Sequence, residues 1–295
     1  MLQSIPIIDI CTLADDIKQD DILISRFAPY LDAHKNLFFP HRHSFYHLVL
    51  FTAGGGSHTI DFEKFDVKPG QIYFMVPGQV HSWDFEGFVD GYIINFSSSF
   101  IQSFLLRSGY FDNFNFLSST NPQDEVIDLP AEQLTAIVNL FENIIAEVEK
   151  PAALGSDMVK LLMLQIFITI SRIQGKDESR VKQGYNQTLI RNFQKLIEQH
   201  YIDVKLPKDY AELLYITPNH LNAVCKDVLG LAAGEVIRNR TLLEAKRLLT
   251  NPKLSISEIA FNLNFSDNSY FTKFFKKIEG ITPEEFRKKT LNNKS

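Results

Sequence analysis

The chain has 295 residues, a formal net charge of −5 and 45% hydrophobic residues, which suits two packed domains and excludes a disordered protein. Its two cysteines exclude a disulfide scaffold and a Cys-rich zinc module. The longest apolar run, 161–170, is far shorter than the ~20 residues of a membrane span, and the first residues lack the pattern of a secretory signal. We therefore expect a soluble cytoplasmic protein with no membrane partner.

Charge is distributed unevenly along the chain. Residues 1–175 carry 10 Lys and Arg against 21 Asp and Glu, whereas residues 187–295 carry 17 against 12. An acidic front half joined to a basic back half indicates a nucleic-acid partner for the back half alone. The competing interpretation is ordinary surface charge. An excess of five positive charges indicates non-specific attraction to anions and gives no information about the fold.

The segment from residue 36 to 96 predicts antiparallel β structure. Stretches rich in aromatic and β-branched residues alternate there with Gly and Pro turn formers, and we expect Gly54–Gly56 to form a tight hairpin turn. Many short strands of this kind favour a sandwich or a barrel, placed at about residues 20–115. The predicted strands are 45–51, 58–62, 72–76 and 92–96.

Helical periodicity follows the strands. Apolar residues recur at helical spacing over 131–149, and a second helical stretch covers 153–173. These helices complete a first domain, 1–175. Residues 174–187 are polar, contain two glycines and lack an apolar period, which is typical of a linker, and we place that linker at 176–187. The short helices of 188–295 then form a second domain.

The basic half contains two helix-turn-helix patterns. In the first, Pro207 begins one helix, Thr217 caps the next, and Pro218 occupies its first position. That second helix has an apolar side and a side with amides and a cation. The latter supplies the first set of DNA-binding candidates, which are Asn219, Asn222, Ala223 and Lys226.

The second pattern begins at Ser255, which forms an S-x-x-E capping box with Glu258. Ser266 is the predicted cap of its second helix, and Gly280 ends that helix. Between the two patterns, 232–250 predicts a helical strut whose cations, Arg240 among them, can meet phosphates. The polar side of the last helix supplies the second set of candidates, which are Asn268, Ser269, Thr272, Lys273 and Lys276.

These residue types suit a reader of the major groove. An α-helix fits that groove, Asn pairs with adenine edges, and Lys reaches guanine or phosphate. A single pattern of this kind is more often a helical hairpin with a solvated face. Two in tandem, confined to the basic half, favour double-stranded DNA as the partner.

Residues 187–295 resemble the C-terminal domain of AraC-type transcription regulators, the AraC/XylS family. The match rests on the tandem patterns, on the string 256–260 (ISEIA), and on Gly280 followed by Thr282-Pro283. The resemblance implies seven helices, with two recognition helices in adjacent major grooves. It further implies a homodimer formed through the helices at 131–173, which could equally cover their own sheet, and RNA polymerase as a partner. Ala223 departs from the family, where many relatives carry a large basic or polar residue.

The front half resembles the two cupin motifs, through His41-Arg42-His43, His47, Gly70, Pro77-Gly78, His81 and Asn95. Such histidines can hold a metal ion, because neutral imidazole binds Zn, Fe, Cu and Ni. Regulatory cupins of this family are often metal-free, so we expect neither a metal nor another cofactor. We expect a small-molecule effector, a sugar or an aromatic metabolite, in a pocket lined by His41, His43, His47, His81, Trp83 and Tyr92.

The predicted fold class is an N-terminal all-β cupin-like jelly-roll barrel with two following helices, joined to a C-terminal all-α domain with two helix-turn-helix motifs. The leading hypothesis is a ligand-responsive, sequence-specific transcription regulator without catalytic residues. A metal-dependent cupin enzyme fused to a DNA-binding module is the first alternative, and it requires the four motif histidines to converge on one ion. The second alternative is a constitutive DNA-binding protein whose barrel only dimerises.

Overall fold

The computed structural model describes residues 6–10, 13, 21–34, 37, 40–104, 110–117, 125–150, 152–175 and 185–292. The described residues up to 175 form one compact unit, and those from 185 onward form another. None of the described helices has the length and hydropathy that crossing a bilayer requires.

The first unit is built on one extended sheet. Its described strands are β1 (Ile7–Ile8), β2 (Ile22–Arg26), β3 (His41–His43), β4 (Tyr46–Ile60), β5 (Glu63–Asp66), β6 (Gln71–Met75), β7 (Val80–Phe96) and β8 (Val126–Asp128). The strand order is β1-β3-β7-β4-β6-β8, with β2 also paired to β7 and β5 to β4.

The sheet forms a cupin-like barrel with two layers, and strands β4 and β7 are long enough to belong to both layers. The first half of β4 and the second half of β7 pair with β6 and β2, whereas their other halves pair with β5 and β3. Side chains that face inward from both layers, such as Phe51, Tyr73 and Trp83, share one core with Phe27 of helix α1 (Phe27–Ala33). This core is the interior of the barrel.

The hairpin turn predicted at Gly54–Gly56 is wrong, because these glycines lie inside β4. The pairing of β4 with β7 shifts register between Phe51 and Gly55, and Gly54 and Gly56 have φ values of 123° and 96°. A Cβ atom on Gly56 would lie 2.3 Å from the carbonyl oxygen of Asp84. The glycines therefore permit irregular pairing and close approach within one long strand.

Helices cover the outer face of the sheet. α2 (Ser98–Gln102) follows β7, and α3 (Ala131–Glu149) and α4 (Gly155–Gln174) confirm the two helices predicted from apolar periodicity. Ile137, Phe141 and Phe167 pack with Leu48 and Phe74, which point outward from β4 and β6. The barrel thus has an inner core and a separate outer core beneath α3 and α4.

The second unit confirms the seven helices that the resemblance implies. Within the described residues these are α5 (Tyr185–His200), α6 (Pro207–Leu213), α7 (Pro218–Leu229), α8 (Ala233–Leu249), α9 (Ile256–Asn262), α10 (Asn268–Glu279) and α11 (Pro283–Asn292). Of the predicted linker, 176–184 lies outside the described residues, and 185–187 is the first turn of α5.

The pairs α6–α7 and α9–α10 share one local construction. The turn after α6 is closed by a bond from the N–H of Ile216 to the carbonyl of Ala211 (2.9 Å), and the turn after α9 by a bond from Phe265 to Ala260 (3.0 Å). Tyr215 and Asn264 hold matching left-handed positions, and Gly230 and Gly280 end the second helix of each pair. The domain therefore contains two copies of a helix-turn-helix motif.

The helix caps agree with the sequence prediction at two positions and differ at one. Thr217 accepts a hydrogen bond from the N–H of His220 (3.2 Å), and Ser255 forms both bonds of its capping box. The cap of α10 is Asp267 and not Ser266, since an oxygen of Asp267 accepts the N–H of Tyr270 (2.8 Å). A carboxylate therefore caps the start of α10.

Candidate effector pocket and nucleic-acid interface

The four motif histidines come together inside the barrel. His41 and His81 are directly opposite one another across the β3–β7 ladder, and His43 lies on the same face two residues along. Each of His41, His43, His47 and His81 is at most 2% exposed. Neighbouring ring centroids in this group lie 4.2–5.2 Å apart. The four rings therefore form one cluster, in which one ring nitrogen each of His41, His43 and His81 lies within 4.8 Å of the others.

A fifth histidine, His58, joins this cluster. Its Nε2 lies 3.0 Å from Nδ1 of His81, whose Nε2 lies 2.6 Å from Nε2 of His43. His58 is not among the predicted site residues, because the sequence places residue 58 in a separate strand whose register is not fixed by local signals. The alternation of His58 and Ile60, both of which face inward, was the available signal.

Hydrogen bonding fixes the ring of His47. Its Nδ1 donates to Oδ1 of Asn95 (2.7 Å), the residue opposite it on β7, so Nε2 keeps its lone pair. Burial is the main cause that lowers the pKa of His47 to about 3 and the pKa values of His43, His58 and His81 well below the ordinary 6.5. The neighbouring histidines add to these shifts. These rings are therefore neutral near pH 7, which is the metal-binding form of imidazole.

Trp83 separates the histidines from a surface cleft. The cleft has a volume of about 390 Å³ and is lined by Leu31, Trp83, Asp84, Phe85, Gly87 and Val89. The indole ring centroid lies 4.9 Å from that of His81 and 5.7 Å from that of His58. Of the predicted pocket residues Trp83 alone lines this cleft, and the histidines lie beneath it.

The assignment of Tyr92 to the pocket is wrong. Tyr92 is an even-numbered residue of β7, so it points to the outer face, where its ring stacks on Phe141 of α3 at 5.1 Å. Its hydroxyl donates to Glu142, which also pairs with Arg26 at 2.7 Å. Tyr92 therefore ties the sheet to α3.

Helix α7, the first predicted recognition helix, presents part of its predicted DNA-binding face to solvent. On α7, Asn219, Ala223 and Lys226 are exposed. Asn222 is half-buried, and its Oδ1 accepts the backbone N–H of Ala233 at 3.2 Å. The Asn222 side chain therefore also satisfies a backbone N–H group at the start of α8.

Helix α10, the second predicted recognition helix, is exposed to solvent along most of its polar side. Asn268, Ser269, Lys273 and Lys276 are exposed on α10, and Thr272 is half-buried. A cleft of about 430 Å³ at the start of α10 is lined by Ser266, Asp267, Ser269, Tyr270 and Lys273. Tyr270 and Asp267 were not among the predicted contacts. Their positions beside Ser269 were the available signal.

The prediction that Arg240 contacts phosphates is wrong. Its side chain is 10% exposed, and its Nε lies 2.8 and 2.9 Å from the two carboxylate oxygens of Glu198. Glu244 accepts a further bond at 3.2 Å, and the guanidinium stacks on Tyr201 at 3.9 Å. Arg240 thus joins α8 to α5, with its Nε and Nη1 atoms bonded to carboxylates.

Comparisons with known proteins agree with this geometry. The family model of the AraC-like ligand binding domain matches residues 24–161, and that of a helix-turn-helix domain matches residues 210–289. The chain is an AraC-type transcription regulator. The regulator thus joins a ligand-binding domain to a DNA-binding domain, in that order along the chain.

Relatives match over most of its length. The Msm operon regulatory protein of Streptococcus mutans is 26% identical over 84% of each chain. The HTH-type transcriptional activator RhaR of Mannheimia succiniciproducens is 22% identical over 85% of this chain and 87% of its own. Among solved structures, ToxT from Vibrio cholerae aligns over 90% of this chain and 97% of its own, at 14% identity and a TM-score of 0.43.

Proposed function

We propose that this regulator is a homodimeric, non-catalytic transcriptional activator. Its affinity for operator DNA is set by a small molecule that binds in the cleft beside Trp83. The observation that carries the proposal is the exposure of equivalent polar faces on two helices of the same construction, α7 and α10. RNA polymerase is the further partner that an activator needs.

Readout of DNA is assigned to the exposed residues. Asn219 and Asn268 have the amides that pair with adenine edges, while Lys273 and Lys276 reach guanine or phosphate. Ala223 contributes contact with a thymine methyl group. Thr272 and Asn222, which are half-buried, sit at the edge of these faces.

The effector is assigned to the cleft because its size suits one small ligand. Trp83 forms part of the cleft wall with 4% of its surface exposed, and the exposed carboxylate of Asp84 offers hydrogen-bond acceptors beside it. This pairing of a ring with an acceptor fits a neutral sugar better than an anion. For regulation, the sugar must bind the two arrangements of the protein with different affinity.

Dimerisation is assigned to the exposed apolar side of α4. Leu154, at its start, is 77% exposed, Leu161 is 61% exposed and Met158 is 47% exposed. Apolar groups of this size at neighbouring positions are typical of an interaction surface.

The test begins with DNA from the region upstream of the regulator's own gene. Sequence-preferring binding that weakens steeply with salt is expected. A panel of monosaccharides is then screened for a change in that affinity. The active sugar should lose its effect in Asp84→Ala and keep it in Glu86→Ala, an exposed carboxylate two residues away that does not line the cleft. Equal responses in both variants would contradict the proposed pocket.

A further inference from the structure

The two helix-turn-helix motifs are attached to opposite ends of α8. Asn222 of the first motif bonds to Ala233 at the start of α8, whereas Glu279 of the second motif pairs with Lys246 near its end at 2.8 Å. α8 has 17 residues, so at about 1.5 Å per residue it is roughly 25 Å long. Contacts at its two ends hold each motif on the helix, but they do not by themselves fix the orientation of one motif relative to the other.

A second connection joins the two motifs directly. It links the segment 201–206, which leads into α6, to the turn between α9 and α10. Nδ2 of Asn264 donates to Oδ1 of Asp203 at 3.3 Å, and Nζ of Lys205 lies 5.3 Å from the ring centroid of Phe265. The second distance is within the ~6 Å of a cation–π interaction. We call these four residues the inter-motif clasp.

Both sides of the clasp are fixed to the helices next to them. The hydroxyl of Tyr210, a buried residue of α6, donates to the carbonyl of Val204 at 3.0 Å, which anchors the segment 201–206. The turn after α6 is closed by its own hydrogen bond, so α7 is held with α6. On the other side, the ring of Phe265 packs on Phe271 of α10 at a centroid distance of 5.2 Å. Any movement of α10 relative to α7 must therefore stretch the clasp.

The ammonium group of Lys205 is held by the protein. Lys205 is half-buried, and its Nζ donates to the carbonyl of Tyr201 at 2.6 Å. Burial lowers the pKa of Lys205 to about 8, and the carboxylate of Asp203 acts in the opposite direction. Lys205 thus differs from the exposed lysines of α7 and α10, whose ammonium groups can reach phosphates.

The matching turn of the first motif makes no such use of its residues. Tyr215 is the counterpart of Asn264, with the same left-handed backbone, and its side chain is 96% exposed. A helix-turn-helix motif of this construction therefore does not need a partner at that position. The contact made by Asn264 serves the pair of motifs and not the second motif alone.

We propose that Asp203 and Lys205 are positioning residues, which fix α10 relative to α7 through Asn264 and Phe265. The clasp thereby sets the one separation of DNA half-sites that the regulator accepts. Each base pair added between two half-sites moves them apart by about 3.4 Å and turns one by about 35° relative to the other. A rigid pair of helices can meet such a site only if the DNA is deformed. The inference rests on the proposed use of α7 and α10 for DNA readout.

The first test measures the clasp without DNA. The full chain, with its two native cysteines replaced by alanine, carries nitroxide spin labels at Lys226→Cys and Lys276→Cys, on the exposed sides of α7 and α10. Pulsed electron paramagnetic resonance gives the distribution of distances between the labels. One narrow distribution is expected, and Lys205→Ala and Asn264→Gly should each broaden it. Glycine adopts the left-handed φ of 56° at residue 264 without strain, so Asn264→Gly keeps the turn.

Two control variants separate the clasp from a loss of charge. Lys205→Arg places a guanidinium over Phe265, which preserves the cation–π interaction and should keep the distribution narrow. Lys208→Ala removes an exposed lysine of α6, three residues from Lys205, and should also keep it narrow.

The second test measures DNA-binding specificity. The unaltered regulator selects its site from a random duplex library, and one base pair is then added or removed between the two half-sites. The unaltered regulator should bind these two duplexes about tenfold or more weakly, whereas Lys205→Ala should bind all three within about threefold of one another. Lys208→Ala should change the three affinities by one common factor. If no site is selected, the proposed function fails, and the distance measurement still decides the role of the clasp.

Three results would overturn the proposal. The first is a distance distribution that stays equally narrow in Lys205→Ala and Asn264→Gly. The second is an undiminished loss of affinity for the altered half-site separations in Lys205→Ala. The third is the same broadening in Lys208→Ala, which would assign the effect to charge and not to the contact with Phe265.

Discussion

The side-chain oxygen of Asn222 on α7 accepts the backbone N–H of Ala233, the first residue of α8, at 3.2 Å. The N–H groups of a first helical turn have no partner within the helix, so this bond satisfies one of them. A residue that the sequence places among the base readers thus also joins the first helix-turn-helix motif to the strut behind it.

This relationship predicts different effects for two neighbouring asparagines. Asn222→Ala should lower the free energy of unfolding of the DNA-binding unit by about 1 kcal/mol and also weaken operator binding. Asn219→Ala, on the exposed side of the same helix, should weaken operator binding and leave stability unchanged. Chemical denaturation and a gel-shift titration measure the two quantities. Equal stability of the two variants would contradict the role given to Asn222.

A second prediction concerns Arg240, which is enclosed by Glu198, Glu244 and Tyr201. Arg240→Lys keeps the charge but loses the paired bonds to Glu198 and the flat stacking surface. It should cost about 1–3 kcal/mol of stability and leave the salt dependence of DNA binding unchanged. A stable variant whose salt slope falls by about one would instead place Arg240 on a phosphate.

Local signals in the sequence were sufficient to predict where the helices begin and end. The apolar period of 131–149 gave the bounds of α3, and the S-x-x-E box at Ser255 and Glu258 gave the start of α9. Both depend on residues within a few positions of each other, so no tertiary information is needed.

Properties set by distant partners could not be predicted in this way. Whether Trp83 or Tyr92 faces the interior depends on strand register, and β4 changes register beside its glycines. Arg240 is taken out of the DNA-binding set by Glu198, which lies 42 residues away along the chain. The cupin motif named four of the clustered histidines, whereas His58 joins them only through the pairing of β4 with β7.

A third prediction concerns Lys273, which is exposed on α10 and lines the cleft at its start. Lys273→Ala should weaken operator binding about tenfold or more, as expected for a cation at a base edge or a phosphate. Lys64→Ala removes the same charge from an exposed site on β5 and serves as the control. Identical losses in both variants would show that only net charge matters.

A fourth prediction follows from the carboxylate that caps α10. The hydrogen bond from the N–H of Tyr270 is the main cause that lowers the pKa of Asp267, so its negative charge persists close to Lys273. Asp267→Asn keeps a good capping side chain but removes the charge that repels phosphate. Affinity for DNA should rise about two- to fivefold at low salt, the size expected of one screened surface charge. A fall in affinity would instead mean that Asp267 accepts a bond from a base.

The last prediction is a steep dependence of barrel stability on pH in the presence of a chelator. His43, His47, His58 and His81 have lowered pKa values in the folded barrel because they are buried, whereas the unfolded chain titrates near 6.5. As pH falls below 6.5 the unfolded state takes up protons that the folded state cannot, so folding stability is complete above that pH and is lost below it.

Each such histidine contributes about 1.4 kcal/mol per pH unit to the change of the free energy of unfolding with pH, so four of them together make this slope steep. Denaturant unfolding followed by Trp83 fluorescence isolates the barrel, because the chain has no second tryptophan. His58→Gln should reduce the slope by about one proton whatever its effect on absolute stability, which makes the slope the decisive quantity. A free energy of unfolding that stays constant between pH 7.5 and 5.5 would mean that the histidines remain accessible to protons in the folded barrel.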